Sequence, residues 1–206
     1  MGNKNYDDKI AYFNNLSANW DEVVGNDEAR IQKLRNVFSM INIHNGDTVM
    51  DVGCGTGVLF TMIQERIGPQ GTLIAVDTSD KMIEEAKKRY AHFNNIKYVV
   101  GPLEEISLPH QSINVILCFA VFPHIEDQLM ALKKCHNFLT VDGSLYIFHL
   151  SDTKSLNEFH HNLNAPVSRD HMPIREELEE MLKKTGFILI KYIDEPELNF
   201  VHIKLQ

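Results

Sequence analysis

The run from Thr48 to Phe60, TVMDVGCGTGVLF, constrains this chain more than any other stretch. Val49 to Val52 read as a short buried strand, Gly53, Gly55 and Gly57 free every second backbone position of a side chain, and the apolar residues from Val58 onward open a helix. A strand, a bare turn and a helix N-terminus in that order aim backbone N–H groups at a ligand. A dinucleotide turn needs Gly-x-Gly-x-x-Gly, its last glycine letting helix and strand pack closely. Here the third glycine comes one place early and Val58 fills the expected position. Asp51, at the strand's end, would repel a pyrophosphate and favour a ligand carrying an ammonium or sulfonium charge.

An acidic residue followed by Gly-x-Gly-x-Gly after the first strand resembles the first motif of the class I S-adenosylmethionine-dependent methyltransferases of small-molecule type. The resemblance implies an α/β fold: a doubly wound, seven-stranded, mostly parallel sheet with helices on both faces and a C-terminal antiparallel hairpin. It implies S-adenosyl-L-methionine as cofactor, gripped by Asp51, Gly53, Cys54, Gly55 and Gly57, and in-line methyl transfer to a small-molecule acceptor. By motif it covers about Asp47 to Ile147, and beyond that only the order of elements.

The helix after the glycines stops at Gly68-Pro69, and Thr72 to Val76 is the second strand. Asp77 at its carboxyl end, some twenty positions past the turn, is placed to hold ribose hydroxyls. Ser79 or Asp80 caps a helix to about Ala91. In the family the residues after the acidic one flank the adenine, which nominates Thr78 and Met82; Met82 reads equally as plain core.

Ile96 to Val100 is the third strand and Ile113 to Leu117 the fourth. The loop between them resembles the family's adenine loop, with Pro102 and Asn114 standing where acidic residues are usual, so the backbone of Leu103, with Glu104 nearby, is left to read the adenine edge. Cys118 and Phe119 follow the fourth strand at the mouth of the sheet, Cys118 offering its carbonyl to the methionine ammonium. The family's His-x-x-Asp is kept as His124 and Asp127. A helix from Asp127 to Leu139, a turn at Asp142-Gly143 and a strand from Ser144 to Leu150 complete the parallel part.

The flanks carry the variable chemistry. Residues 1–45 form a helical leading segment in which Phe13, Leu16 and Trp20 share a face; Tyr12 and Trp20 are either lid residues over the substrate mouth or part of a helix docked on the sheet. Asn26 or Asp27 caps a helix from Glu28 to about Ile41. The insert 151–173 crosses the ligand face and holds Asn157, His160, His161, Arg169, Asp170 and His171, so a substrate pocket is expected from His124, Asn157 and His160 with Tyr12 and Trp20. A helix from Ile174 to Lys184, a stop at Gly186 and strands Phe187 to Ile193 and Phe200 to Leu205 close the chain, which reads as a single domain of residues 1–206.

Composition excludes several classes. Of the 206 residues 44% are apolar and 23% charged, as in a soluble globular protein. A formal charge of -8 with scattered basic residues disfavours a nucleic-acid partner. No apolar signal core, myristoylation pattern at Gly2 or bilayer-length run is present, and Cys54, Cys118 and Cys135 suggest neither disulfides nor a CxxC site, so the expected place is the cytoplasm without a membrane partner. A homodimer is compatible with this composition.

Displacement from a sulfonium requires positioning above all. Where an acceptor must lose a proton, His149 is the first candidate base and His161 the second; either one equally shapes a pocket by hydrogen bonding. No HxxxH or Cys/His pair supports a metal, and none is expected. Two other functions stay in view: a noncatalytic S-adenosylmethionine-binding protein, and a nucleotide-binding oxidoreductase.

Overall fold

The computed structural model describes residues 4–25 and 27–206, with side chains from Tyr6 onward. Gly2 and Asn26, one of the two expected caps, lie outside the described residues. Seven strands, β1 (Thr48–Val52), β2 (Thr72–Asp77), β3 (Ile96–Val100), β4 (Ile113–Phe119), β5 (Leu139–His149), β6 (Phe187–Glu195) and β7 (Leu198–Leu205), stand in the order β3-β2-β1-β4-β5-β7-β6. The residues up to Gly101 and those from Pro102 onward each form a compact unit.

In the first unit β1 (Thr48–Val52), β2 (Thr72–Asp77) and β3 (Ile96–Val100) run parallel, β2 pairing with both neighbours. Val49 and Met50 are fully buried, as are Leu73 and Ala75, so β1 and β2 read as apolar runs rather than alternations, while β3 is only partly covered. The leading segment is α1 (Lys4–Leu16), a 3-10 turn (Ser17–Asn19), the short α2 (Trp20–Val23) and then α3 (Glu28–Phe38). Asp27 caps α3 by accepting from the Arg30 N–H. Leu34, Val37 and Phe38 form its buried stripe.

After the glycine turn α4 spans Phe60–Ile67, two residues later than the apolar pattern suggested, because Val58 and Leu59 are still in the turn. Gly68 ends α4 with φ 65. The next helix, α5 (Asp80–Arg89), is capped by Ser79, whose side chain accepts from the Met82 N–H, and it closes with three basic residues that complement the helix dipole.

The second unit holds β4 (Ile113–Phe119) and β5 (Leu139–His149), parallel to each other, and the hairpin β6 (Phe187–Glu195) and β7 (Leu198–Leu205), with β7 antiparallel to both β5 and β6. The expected C-terminal hairpin is therefore present, and its turn is the pair Pro196-Glu197. The expected turn at Asp142-Gly143 falls inside the span of β5: Ile113 opposes Leu139 and Val115 opposes Ser144, so the residues Thr140 to Gly143 loop out tightly opposite Asn114. A Cβ on Gly143 would lie 2.9 Å from the Thr140 carbonyl and 3.1 Å from that of Asn114, and this closeness accounts for the glycine.

Helix α6 (Gln128–Phe138) is capped by Asp127, and α8 (Arg175–Thr185) begins with the Ile174 N–H donating to Glu177 and ends at Gly186 in the left-handed region. The insert 151–173 contains α7 (Thr153–Asn162), capped by Asp152. No described helix is long and apolar enough to cross a membrane.

Candidate functional site

In the first unit the glycine turn is held open by its own backbone. Gly53, Gly55 and Gly57 have φ of 64, 54 and 92, values that L side chains rarely adopt. Gly57 is also bound by packing, since a Cβ there would meet a Tyr90 ring carbon at 2.7 Å and one of Phe60 at 2.9 Å. The turn is anchored where the Cys54 N–H donates to the Val76 carbonyl at 3.0 Å.

Two carboxylates belong to this turn. Asp77 accepts from the Gly55 N–H and from the Ser79 N–H, both at 2.8 Å, one on each oxygen. Asp77 thus ties the end of β2 to the glycines, and a carboxylate oxygen can accept a ligand hydroxyl alongside a backbone N–H. Asp51 is 2% exposed, and its Oδ2 has no hydrogen-bond partner. Burial, and then the charge of Asp77, pushes its carboxyl well above the usual carboxylate range. The same burial raises the Cys54 thiol, which is therefore no nucleophile.

The leading segment covers this turn. Trp20 places its indole nitrogen 3.4 Å from where a Gly55 Cβ would stand, and Phe13 meets Trp20 edge-on, as Tyr12 meets Phe13. Asp21 bonds the Thr56 hydroxyl and pairs with Arg89 at 2.8 Å, while Asn14 accepts from Ser79. These polar ties have no sequence signature, because partners 35 or 65 positions apart leave no local pattern. Thr78 is half-buried beside Ser79, and Met82 is buried in α5.

In the second unit Leu103 is buried in the turn after Pro102, and Glu104 accepts the Asp127 N–H. Lys134, which with Lys133 reads in the sequence as a solvated helix face, instead donates to the Ile106 carbonyl. Cys118 and Phe119 end β4, Phe119 stacking on Phe148 at 5.0 Å. Ala120 then takes φ 52, and this left-handed residue turns the chain into the 3-10 segment Phe122–His124.

Around the end of β5 three histidines gather. His124 Nδ1 lies 2.6 Å from the buried Asp170 carboxylate, and its ring meets that of His160 at 5.0 Å. His149 is 3% exposed, and neither ring nitrogen has a hydrogen-bond partner. Burial, with His124 and His160 adding, pushes its pKa down to about 3. At neutral pH this imidazole is uncharged.

The other expected residues are elsewhere. His161 is exposed on α7, next to the buried His160. Asn157 spends its amide on the chain itself, donating to the Met172 carbonyl at 2.9 Å and accepting from the Met172 N–H at 2.8 Å. It therefore straps the segment 163–172 to α7. His171 faces solvent beside Glu177. Asp170 stands out in the sequence without a role, since no spacing rule pairs it with His124. Among the described residues no metal-binding group of three or more His, Cys, Asp or Glu occurs.

Residues 43–204 match the family model described as a methyltransferase domain. Among curated proteins the chain is similar to demethylmenaquinone methyltransferase of Staphylococcus aureus (strain JH9), 23% identical over 204 residues, spanning 87% of this chain and 84% of that protein. Among solved structures it is similar to a SAM-dependent methyltransferase from Aquifex aeolicus, at TM-score 0.69 and 18% identity, covering 87% of this chain and 99% of the other. The DhpI-SAH complex matches at TM-score 0.74 and 15% identity, covering 100% and 98%.

Proposed function

The chain belongs to the methyltransferase-domain family and is a class I S-adenosylmethionine-dependent methyltransferase; on that premise we propose that it methylates a small-molecule acceptor, in line, in the cytosol. The observation that carries the reading is the buried, unpartnered Asp51 oxygen beside the glycine turn. A buried carboxylate left this way costs about 1–3 kcal/mol, and a cationic ligand relieves that cost. A pyrophosphate would add to it.

Bound S-adenosylmethionine supplies an electrophilic methyl group on a positively charged sulfur. Asp77 holds ribose hydroxyls with its carboxylate while keeping Gly55 in place. Asp51 balances the positive charge of the methionine end. Trp20, over Gly55, excludes water from the turn. The small-molecule class is supported by a relative named for demethylmenaquinone, and by a net charge of -8 that does not suit a nucleic-acid acceptor.

Calorimetry tests the reading directly. S-adenosylmethionine is expected to bind, with protons released as Asp51 ionises and affinity rising with pH; NADH is expected not to bind. NADH binding without S-adenosylmethionine binding would overturn it.

A further inference from the structure

Trp20 is the single tryptophan of the chain, and it sits over the glycine turn within the first unit. Its pyrrole edge faces Gly55: Nε1 lies 3.4 Å, and Cδ1 3.9 Å, from where a Cβ on that glycine would stand. Neighbours fix it there. Phe13 meets the indole edge-on, ring centroids 5.9 Å apart, and Asp21, the next residue, pairs with Arg89 on α5 and accepts from the Thr56 hydroxyl inside the turn. An indole N–H can only donate. No described residue accepts from this one, and unlike the enclosed orphan atoms of Asp51 and His149 its nitrogen keeps accessible surface. Trp20, Gly53, Gly55 and Asp77 are all partly exposed, so the N–H borders surface that a ligand can reach.

The rest of the turn shows what such a donor is for. The N–H groups of Cys54, Gly55, Gly57 and Phe60 are spent on the Val76 carbonyl, Asp77, the Cys54 carbonyl and the Gly57 carbonyl. The ionisable side chains flanking the glycines, Asp51 and Asp77, are both acidic. Of the groups on S-adenosylmethionine, the ribose hydroxyls suit Asp77, which accepts, and the ammonium and sulfonium suit acidic surroundings. The methionyl carboxylate suits none of these, being acceptor-only and of like charge. It shares a carbon with the ammonium, so a methionine end drawn to this turn brings it along. A donor beside Gly55 is what it lacks, and hydrogen bonds to an ionised acceptor are the stronger kind.

We propose that Trp20 holds the methionyl carboxylate of S-adenosylmethionine through its indole N–H, and so makes the site selective for a cofactor that keeps this carboxylate. The proposal deepens the methyltransferase reading and rests on it, and its geometry lies wholly within the first unit. Because Phe13 and Asp21 already hold the indole in place, the ligand has little left to order.

The experiment uses the full chain, whose single tryptophan gives one indole ¹H–¹⁵N resonance. S-adenosylmethionine and S-adenosylhomocysteine are each expected to move its proton downfield. Decarboxylated S-adenosylmethionine and 5′-methylthioadenosine, which lack the carboxylate, are expected not to. Trp20→Phe keeps an aromatic ring against Phe13 and loses the N–H; in calorimetry it is expected to weaken S-adenosylmethionine about threefold and leave the decarboxylated form unchanged. Its thermal midpoint is expected to equal the parent's, since the N–H has no protein partner to lose. A downfield move with all four ligands or with none, equal weakening of both cofactors by Trp20→Phe, or weakening of neither would overturn the proposal. The resonance is read on the parent, so it decides even where the variant is unstable. A parent that does not bind S-adenosylmethionine in calorimetry would instead defeat the methyltransferase reading, and the proposal with it.

Discussion

The glycine turn of the first unit and the histidine-lined end of β5 in the second are built on opposite plans. The turn is made of backbone: three residues with positive φ, N–H groups accepted by Asp77, and one carboxylate left open at Asp51. The histidine site is made of side chains delivered by four separate elements, with Asp170 fixing His124 and Asn157 holding the strap over α7. A backbone site tolerates little variation, because a Cβ in the wrong place closes it. A side-chain site can be re-cut one residue at a time, which suits recognition of an acceptor over recognition of a fixed cofactor.

That contrast can be broken at its hardest point first. Gly57→Ala is expected to destabilise the fold by about 2–4 kcal/mol, through the strained φ and the collision with Tyr90 and Phe60, and to abolish S-adenosylmethionine binding. A urea midpoint equal to the parent's would show that the turn is not rigid. Asp77→Ala should weaken cofactor binding by about 1–3 kcal/mol in calorimetry, since charge-assisted bonds to the ribose and the brace on Gly55 are both lost. Unchanged affinity would sever Asp77 from the ribose.

The second site is best probed through acid. His149 has a folded pKa near 3 against an unfolded value of 6.5, so between those limits the unfolded chain binds the extra proton. Stability is therefore full above pH 6.5 and falls as pH drops toward 3, by up to about 1.4 kcal/mol per pH unit from this group. Chemical denaturation from pH 7 to pH 4 should show that slope, reduced in His149→Leu; an identical slope in both proteins would mean that His149 is not the buried neutral group described.

Smaller effects sharpen the boundary. Asp170→Asn should cost about 1–2 kcal/mol by weakening the His124 contact and expose the strap 163–172 to limited proteolysis, with cofactor affinity unchanged. Trp20→Ala should cost about 0.5–1 kcal/mol in cofactor affinity by uncovering Gly55, and nothing in acceptor selectivity.

The glycine turn is nearly legible in the amino-acid sequence. Gly53, Gly55, Gly57, Asp51 and Asp77 announce themselves by type and spacing, and the caps Asp27 and Ser79 are each one of the two residues that short-range signals offer. The Asp142-Gly143 turn is legible too, but not that it loops out of a strand opposite Asn114, because that strand partner is distant in sequence. His149 and His124 are visible as residues, but not as an assembly: the partner of His124 is 46 positions away.

The chain's order of apolar runs, glycines and caps by itself determined a parallel α/β sheet with a cation-favouring turn after its first strand, because backbone preferences and local hydrogen bonds act over a few residues. Tertiary structure alone decided which histidine is buried, which amide is already spent, and that both ring nitrogens of His149 and the amide oxygen of Asn199 are buried without hydrogen-bond partners. Burial and partnership are properties of long-range packing, and they fix both the charge of an imidazole and what it can still bind.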